Sequence, residues 1–180
     1  ILRGKSNGLD MALGTNGYLL KDERLEDILP ALTYLRFNIS AGEPDRYARI
    51  MGCQEKHYFK VINTIKESVR IKKENNLDVT IGLQMVLLPD FADQIAPLTR
   101  LGKELNVDYL VIKHCSDDEM SSLGVDYSKY HNMVEILKKA EECSDNGYFV
   151  RAKWSKILSD GKRCYSRCYG PPFITQFSGS

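Results

Sequence analysis

Polar side chains at the ends of apolar segments mark where this chain has the means to do chemistry. Thr15 and Asn16 close one short apolar stretch, Asn38 and Ser40 close a second, Gln84 interrupts a third, and Lys113 ends a fourth. Hydroxyls and amides of this kind hold a ligand by donating to it and accepting from it. A lysine so placed can also form a Schiff base with a carbonyl substrate or carry a proton. Nearer the C-terminus, Cys164 and Cys168 stand among Arg163, Tyr165, Arg167 and Tyr169. Arginines lower a thiol's pKa, and a thiolate is what a metal requires, although this spacing is not the zinc-type CxxC. Each residue also has a plainer role open to it: Thr15 and Asn16 as turn caps, Asn38, Ser40 and Gln84 as hydrogen-bonded core groups, Lys113 as a charge reaching solvent. His114 and Cys115 carry no motif, and Cys53 and Cys143, at helix ends, read as ordinary thiols.

These residues need strands to position them, and the pattern supplies strands. Along residues 34–44, Leu35, Phe37 and Ile39 alternate with Arg36, Asn38 and Ser40, so one face is apolar and the other polar. The polar face reads as the inner wall of a binding site in a closed or half-closed barrel, or as an open edge meeting solvent. Residues 79–88 are mostly apolar, as a strand buried on both faces requires, with Thr80 and Gln84 on one side. Further strands are expected around residues 9–17, 109–113 and 148–154. Between them lie helices: one from Asp22 to Pro30, one opened by Pro44 and stopped at Gly52, a long one carrying Tyr58, Val61, Ile62, Ile65 and Val69 inward, one opened by Pro89, and one with Tyr130, Val134 and Leu137 inward. Lys60, Lys66, Lys72 and Lys73 on the long helix read as its solvated face. Strand and helix alternating at roughly 30-residue spacing indicate right-handed crossovers and a parallel sheet, α/β in class. In such sheets ligands bind at the C-terminal strand ends, so Thr15, Asn16, Ser40, Gln84 and Lys113 are expected at one mouth.

The composition excludes several functions. The 180 residues are 43% hydrophobic and 27% charged, with 25 basic against 24 acidic side chains and a formal charge of +1. That balance gives no reason to expect nucleic acid or an anionic membrane as partner. No apolar run is long enough to span a bilayer and residues 1–10 carry no signal pattern, so the expected compartment is the cytoplasm. Five cysteines, an odd number without framework spacing, fit reduced thiols or metal ligands better than a secreted disulfide scaffold. There is no glycine-rich phosphate loop, HExxH or nucleophile elbow. The chain, starting at Ile1 and stopping at Ser180, reads as an internal fragment.

Two stretches carry a family resemblance. The turn Thr15-Asn16-Gly17 and the run Asn38-Ile39-Ser40-Ala41-Gly42-Glu43-Pro44-Asp45-Arg46-Tyr47-Ala48-Arg49-Ile50-Met51-Gly52 resemble the radical S-adenosylmethionine (radical SAM) enzymes. Cys168-Tyr169-Gly170-Pro171-Pro172-Phe173 is similar to the opening of the SPASM-type auxiliary-cluster tail that some of them carry. The family's CxxxCxxC loop and its Gly-Gly-Glu turn are not in this sequence.

The resemblance implies a partial (β/α) barrel over residues 1–158 and the start of a cysteine-containing, SPASM-like module over residues 159–180. It implies S-adenosylmethionine as cofactor, met by Thr15, Asn16, Asn38, Ser40, Gln84 and Lys113, with Asn38 standing where the family usually has serine. It implies a 4Fe-4S cluster whose ligands lie outside this chain, a possible auxiliary 4Fe-4S cluster ligated by Cys168, and an electron-donor protein as partner. The implied chemistry is reductive cleavage of the sulfonium to a 5′-deoxyadenosyl radical, which takes hydrogen from a peptide or small-metabolite substrate. Two other functions stay open: an iron-independent (β/α) barrel aldolase or isomerase working through Lys113, and a binding module whose Cys164 and Cys168 hold a structural metal.

Overall fold

The computed structural model describes residues 1–117 and 120–162. A short helix α1 (Leu2–Ser6) precedes strand β1 (Met11–Thr15), and α2 (Asp22–Ile28) leads through a 3-10 turn at Leu29–Ala31 into β2 (Leu32–Asn38). Pro44 then opens α3 (Pro44–Met51), its fixed φ suited to a first helical turn, and Gly52 stops it with φ at 61°, in the left-handed region that glycine adopts freely. The long α4 (Glu55–Glu74) returns the chain to β3 (Thr80–Leu87). Next come α5 (Ile95–Glu104), β4 (Tyr109–His114), α6 (Val134–Glu141), β5 (Phe149–Ala152) and α7 (Trp154–Ile157).

Two expected helices begin differently. Pro89 opens a 3-10 segment, Pro89–Gln94, with Phe91 at non-helical φ −118°, and α5 starts only at Ile95. Likewise Tyr130 lies in a 3-10 segment, Tyr127–Met133, that precedes α6. Met133 rather than Val134 is buried there, because the tighter winding rotates the next turn.

The five strands form one sheet in the order β1-β2-β3-β4-β5, and every pairing is parallel. Right-handed crossovers between sequential neighbours put the helices on one face, the arrangement of a partial (β/α) barrel. Leu35, Phe37, Ile81, Leu83, Met85, Leu110 and Ile112 are buried on that covered face against Val61 and Ile65 of α4, Leu98 of α5 and Leu137 of α6. The other face carries Tyr34, Arg36, Asn38, Gly82, Gln84, Tyr109, Val111, Phe149 and Arg151, aligned by register across β2 to β5. The α/β parallel fold expected from the rhythm is thus present. No helix among the described residues is long and apolar enough to cross a membrane.

At the N-terminal strand ends, Asp108 accepts from the Ile81 amide (2.6 Å) and from Lys72 Nζ (2.6 Å). Lys72 is therefore paired rather than simply solvated. Tyr148 donates to the Thr99 carbonyl (3.0 Å) and covers Gly102, where an added Cβ would lie 2.3 Å from its hydroxyl.

Buried tyrosines make an alkaline limit predictable. Burial pushes the Tyr58 and Tyr130 hydroxyls up to about 12 and raises that of Tyr148 as well. The unfolded chain gives up these protons near pH 10, so the native state alone keeps them between about 10 and 12. Stability is expected to hold below about pH 10 and to fall as pH rises toward 12. Urea midpoints at about pH 9 and about pH 11 check this, and equal midpoints would contradict it.

Candidate ligand-binding site

The C-terminal ends of β2 and β3 bring Asn38, Ser40 and Gln84 together. Asn38 and Gln84 are register partners, and Gln84 Nε2 donates to Asn38 Oδ1 at 2.9 Å. Gln84 is only 7% exposed. Among the described residues, the side-chain Asn38 Nδ2 and Gln84 Oε1 have no protein partner, which leaves one donor and one acceptor for a ligand. Ser40 Oγ accepts from the Val86 amide (3.2 Å), and the Ile39 amide donates to the Gln84 carbonyl (3.0 Å), so β2 and β3 stay joined one step past the strand.

The loop that follows is clamped from two sides. The Gly42 amide donates to Gln94 Oε1 (3.1 Å), and Tyr58 donates to the Gly42 carbonyl (2.6 Å). Gln94, fully buried, also donates to Glu43 (2.7 Å) and Asp93 (2.9 Å). Arg46 forks onto both Asp93 oxygens at 2.9 and 2.6 Å, and its guanidinium holds that carboxyl below the usual range. This network fixes the position of Ser40 before any ligand arrives.

Lys113, half-buried on β4, pairs in register with Val86. Burial, and then the nearby Arg36, hold its ammonium below the usual lysine value. The strand beyond is tied by Tyr130, which donates to the Leu87 carbonyl and accepts from the Cys115 amide (3.0 Å). His114 packs on the covered face against Tyr127 and Tyr130, with Nδ1 2.7 Å from the Cys115 carbonyl. Burial pushes the Cys115 thiol up, the opposite of what a metal ligand needs.

Thr15 stands apart from this wall. Its register partner is Phe37, on the helix-covered face, and its hydroxyl accepts from the Gly17 amide (3.0 Å). Asn16 accepts from the Tyr18 amide (3.1 Å). Both side chains serve the turn after β1, and the structure brings Asn38, Ser40, Gln84 and Lys113 together without Thr15. Sequence reasoning left Arg36, Arg151 and Lys153 out of the site. They line one groove of about 320 Å³ with Gln84, Tyr109 and Lys113. The signal was their alternation with buried residues, Arg36 between Leu35 and Phe37, and Arg151 between Val150 and Ala152.

Among the described residues no group of three or more His, Cys, Asp or Glu is disposed to hold a metal ion. Cys164 and Cys168 lie outside the described residues. A larger cavity of about 640 Å³ lies between α5 and α6, lined by Arg100, Glu135 and Cys143. It is in the helix layer, away from the strand ends where ligands of this fold class bind.

No protein-family model and no curated protein sequence matches the chain. Solved structures do. SuiB of Streptococcus suis bound to S-adenosylmethionine matches with a TM-score of 0.66 at 12% identity, over 88% of this chain and 36% of SuiB. SuiB bound to precursor peptide SuiA matches at 0.60 and 13%, over 83% and 34%. TYW1 with a lysine-pyruvate adduct bound matches at 0.55 and 19%, over 77% and 43%. At such identities the likeness shows the fold: an α/β half-barrel of parallel strands, of the type expected from the sequence. The chain spans about two-fifths or less of the length of these structures.

Proposed function

We propose that this chain is the S-adenosylmethionine-binding half-barrel of a radical SAM enzyme acting on a peptide or small-metabolite substrate. The observation that carries it is the Asn38, Ser40 and Gln84 cluster at the C-terminal ends of adjacent strands, in a fold shared with SuiB bound to S-adenosylmethionine. The unpartnered Asn38 donor and Gln84 acceptor suit the hydroxyls of a ribose or the amino-acid end of the cofactor. Lys113, at the next strand end, suits a carboxylate. When bound and reduced, the cofactor supplies a hydrogen-abstracting radical; the described residues supply its orientation. They offer no iron-sulfur ligand set, and Cys168 remains proposed as a ligand of an auxiliary cluster. A peptide substrate draws support from the likeness to SuiB bound to precursor peptide SuiA. The test is calorimetric titration of the chain with S-adenosylmethionine: saturable binding is expected, and its absence would remove the reading.

One observation favours a second reading, an iron-independent aldolase-like barrel. The lowered ammonium pKa of Lys113 makes more of its free amine available, which is the form that condenses with a carbonyl. Borohydride reduction in the presence of a keto acid such as pyruvate is expected to leave Lys113 unmodified if the first reading holds. A reduced adduct on Lys113, located by peptide mass mapping, would reverse the order.

A further inference from the structure

We propose that the helix-free face of β2 to β5 is a pocket for an anionic substrate group, a carboxylate or phosphate held by Arg36, Arg151 and Lys153 with Lys113 at its edge. This rests on the reading of the strand ends as a cofactor site and names the class of substrate beside it. The register sets the two side by side: Asn38, Gln84, Val111 and Arg151 lie in one row across β2 to β5. Neighbouring strands are about 4.8 Å apart, so a ligand on β2 and β3 meets one on β4 and β5 directly.

Among the described residues, no carboxylate lines this groove. Among the described residues none of Arg36, Lys113, Arg151 and Lys153 belongs to an ion pair, although all four line the same groove. Two described carboxylates from the flanking segments accept from backbone amides. Glu141 accepts from the Ala152 amide (2.7 Å) and Trp154 Nε1 (3.1 Å), and Asp117 accepts from the Leu123 and Val125 amides (3.0 Å each). Asp108, which precedes β4 at the opposite end of the sheet, holds Lys72. Arg36 Nε is buried without a hydrogen-bond partner, the one such side-chain atom among the described residues. Two glycines stand beside Arg36 in the register, Gly14 on β1 and Gly82 on β3. An added Cβ at Gly14 would lie 3.8 Å from Nη2, and the Tyr109 ring folds across bare Gly82, the register partner of Arg36. Like charges gathered in a half-buried groove repel one another, and an entering anion removes that repulsion. Guanidinium forks match carboxylate and phosphate oxygens in pairs.

The experiment titrates the full chain with inorganic phosphate and, separately, with succinate, at low and high salt, and with S-adenosylmethionine in parallel. At least one anion is expected to bind at a single site and to weaken as salt is raised. The Arg151→Gln, Lys153→Gln double variant is expected to bind about tenfold more weakly, as the loss of charge-assisted hydrogen bonds implies. Lys66→Gln, Lys73→Gln on α4 serves as the control and should bind as the unaltered chain does. Arg36→Met should also lose affinity without any fall in melting temperature, which separates a ligand role from a structural one. Tighter binding of phosphate or of succinate identifies the group. No saturation by either anion at about 10 mM, or equal weakening in the α4 control, overturns the pocket. Anion binding without S-adenosylmethionine binding would keep the pocket and discard the cofactor reading; the converse would do the reverse.

Discussion

Replacing Gly42 by alanine is expected to destabilise the chain by about 3 kcal/mol, at the upper end of what overpacking costs. A Cβ at this position would lie 2.4 Å from the Pro97 carbonyl carbon, 2.5 Å from the Leu98 nitrogen and 2.7 Å from the Pro97 oxygen. These are backbone atoms inside α5, so no rotamer change relieves the contact. Either α5 leaves the sheet or the loop after β2 moves, and the second breaks the bonds from Gly42 to Gln94 and from Tyr58 to Gly42. The same displacement would carry Ser40 away from the Val86 amide, so S-adenosylmethionine affinity should fall with stability. Gly14→Ala is the matched control, since its Cβ would meet nothing closer than Arg36 Nη2 at 3.8 Å. Urea unfolding of both variants reads the outcome. A Gly42→Ala midpoint equal to that of the unaltered chain would show that α5 yields more easily than its backbone contacts imply.

Much of this architecture is legible in the sequence because it depends on local periodicity. The alternation from Leu35 to Ser40 gives the two faces of β2, and the apolar run before Leu88 gives a strand buried on both sides. Pro44 and Gly52 mark the ends of α3. What escaped depends on partners far apart in the chain. Lys72 finds Asp108 across 36 positions, and Gly42 is required by the backbone of a helix more than 50 residues away. Tyr130 is recognisable as an inward aromatic, but its bonds to Leu87 and Cys115, which lock the ends of β3 and β4, exist only once the sheet has formed. Thr15 and Asn16 show the converse case. Their residue types suit a ligand site and a local turn equally well, and only the register shows that Thr15 pairs with Phe37 while its hydroxyl accepts from the turn. The basic residues were overlooked because a lone arginine in a strand usually reaches solvent. That Arg36, Arg151 and Lys153 share a groove with Lys113 is a property of the register, and no single window contains it.

The Asn38→Leu, Gln84→Leu double variant is expected to lose about thirtyfold in S-adenosylmethionine affinity. Each side chain offers one unpaired group to the ligand, and a neutral hydrogen bond contributes about 1 kcal/mol net, so two amount to about 2 kcal/mol. The stability change should be far smaller. Removing Gln84 alone strands the Asn38 Oδ1 that it now satisfies at 2.9 Å, and the single variant Gln84→Leu should unfold earlier for that reason. Replacing both partners removes the orphan, and apolar groups of similar shape in a buried pair are close to neutral. The two roles open to these amides thereby give opposite patterns. If they only join β2 to β3, the double variant recovers stability and leaves binding untouched. If they hold the cofactor, it recovers stability and loses binding. Calorimetric affinities beside urea midpoints for the chain, the single variant and the double variant separate the two, and unchanged affinity in the double variant would move the cofactor site off this wall.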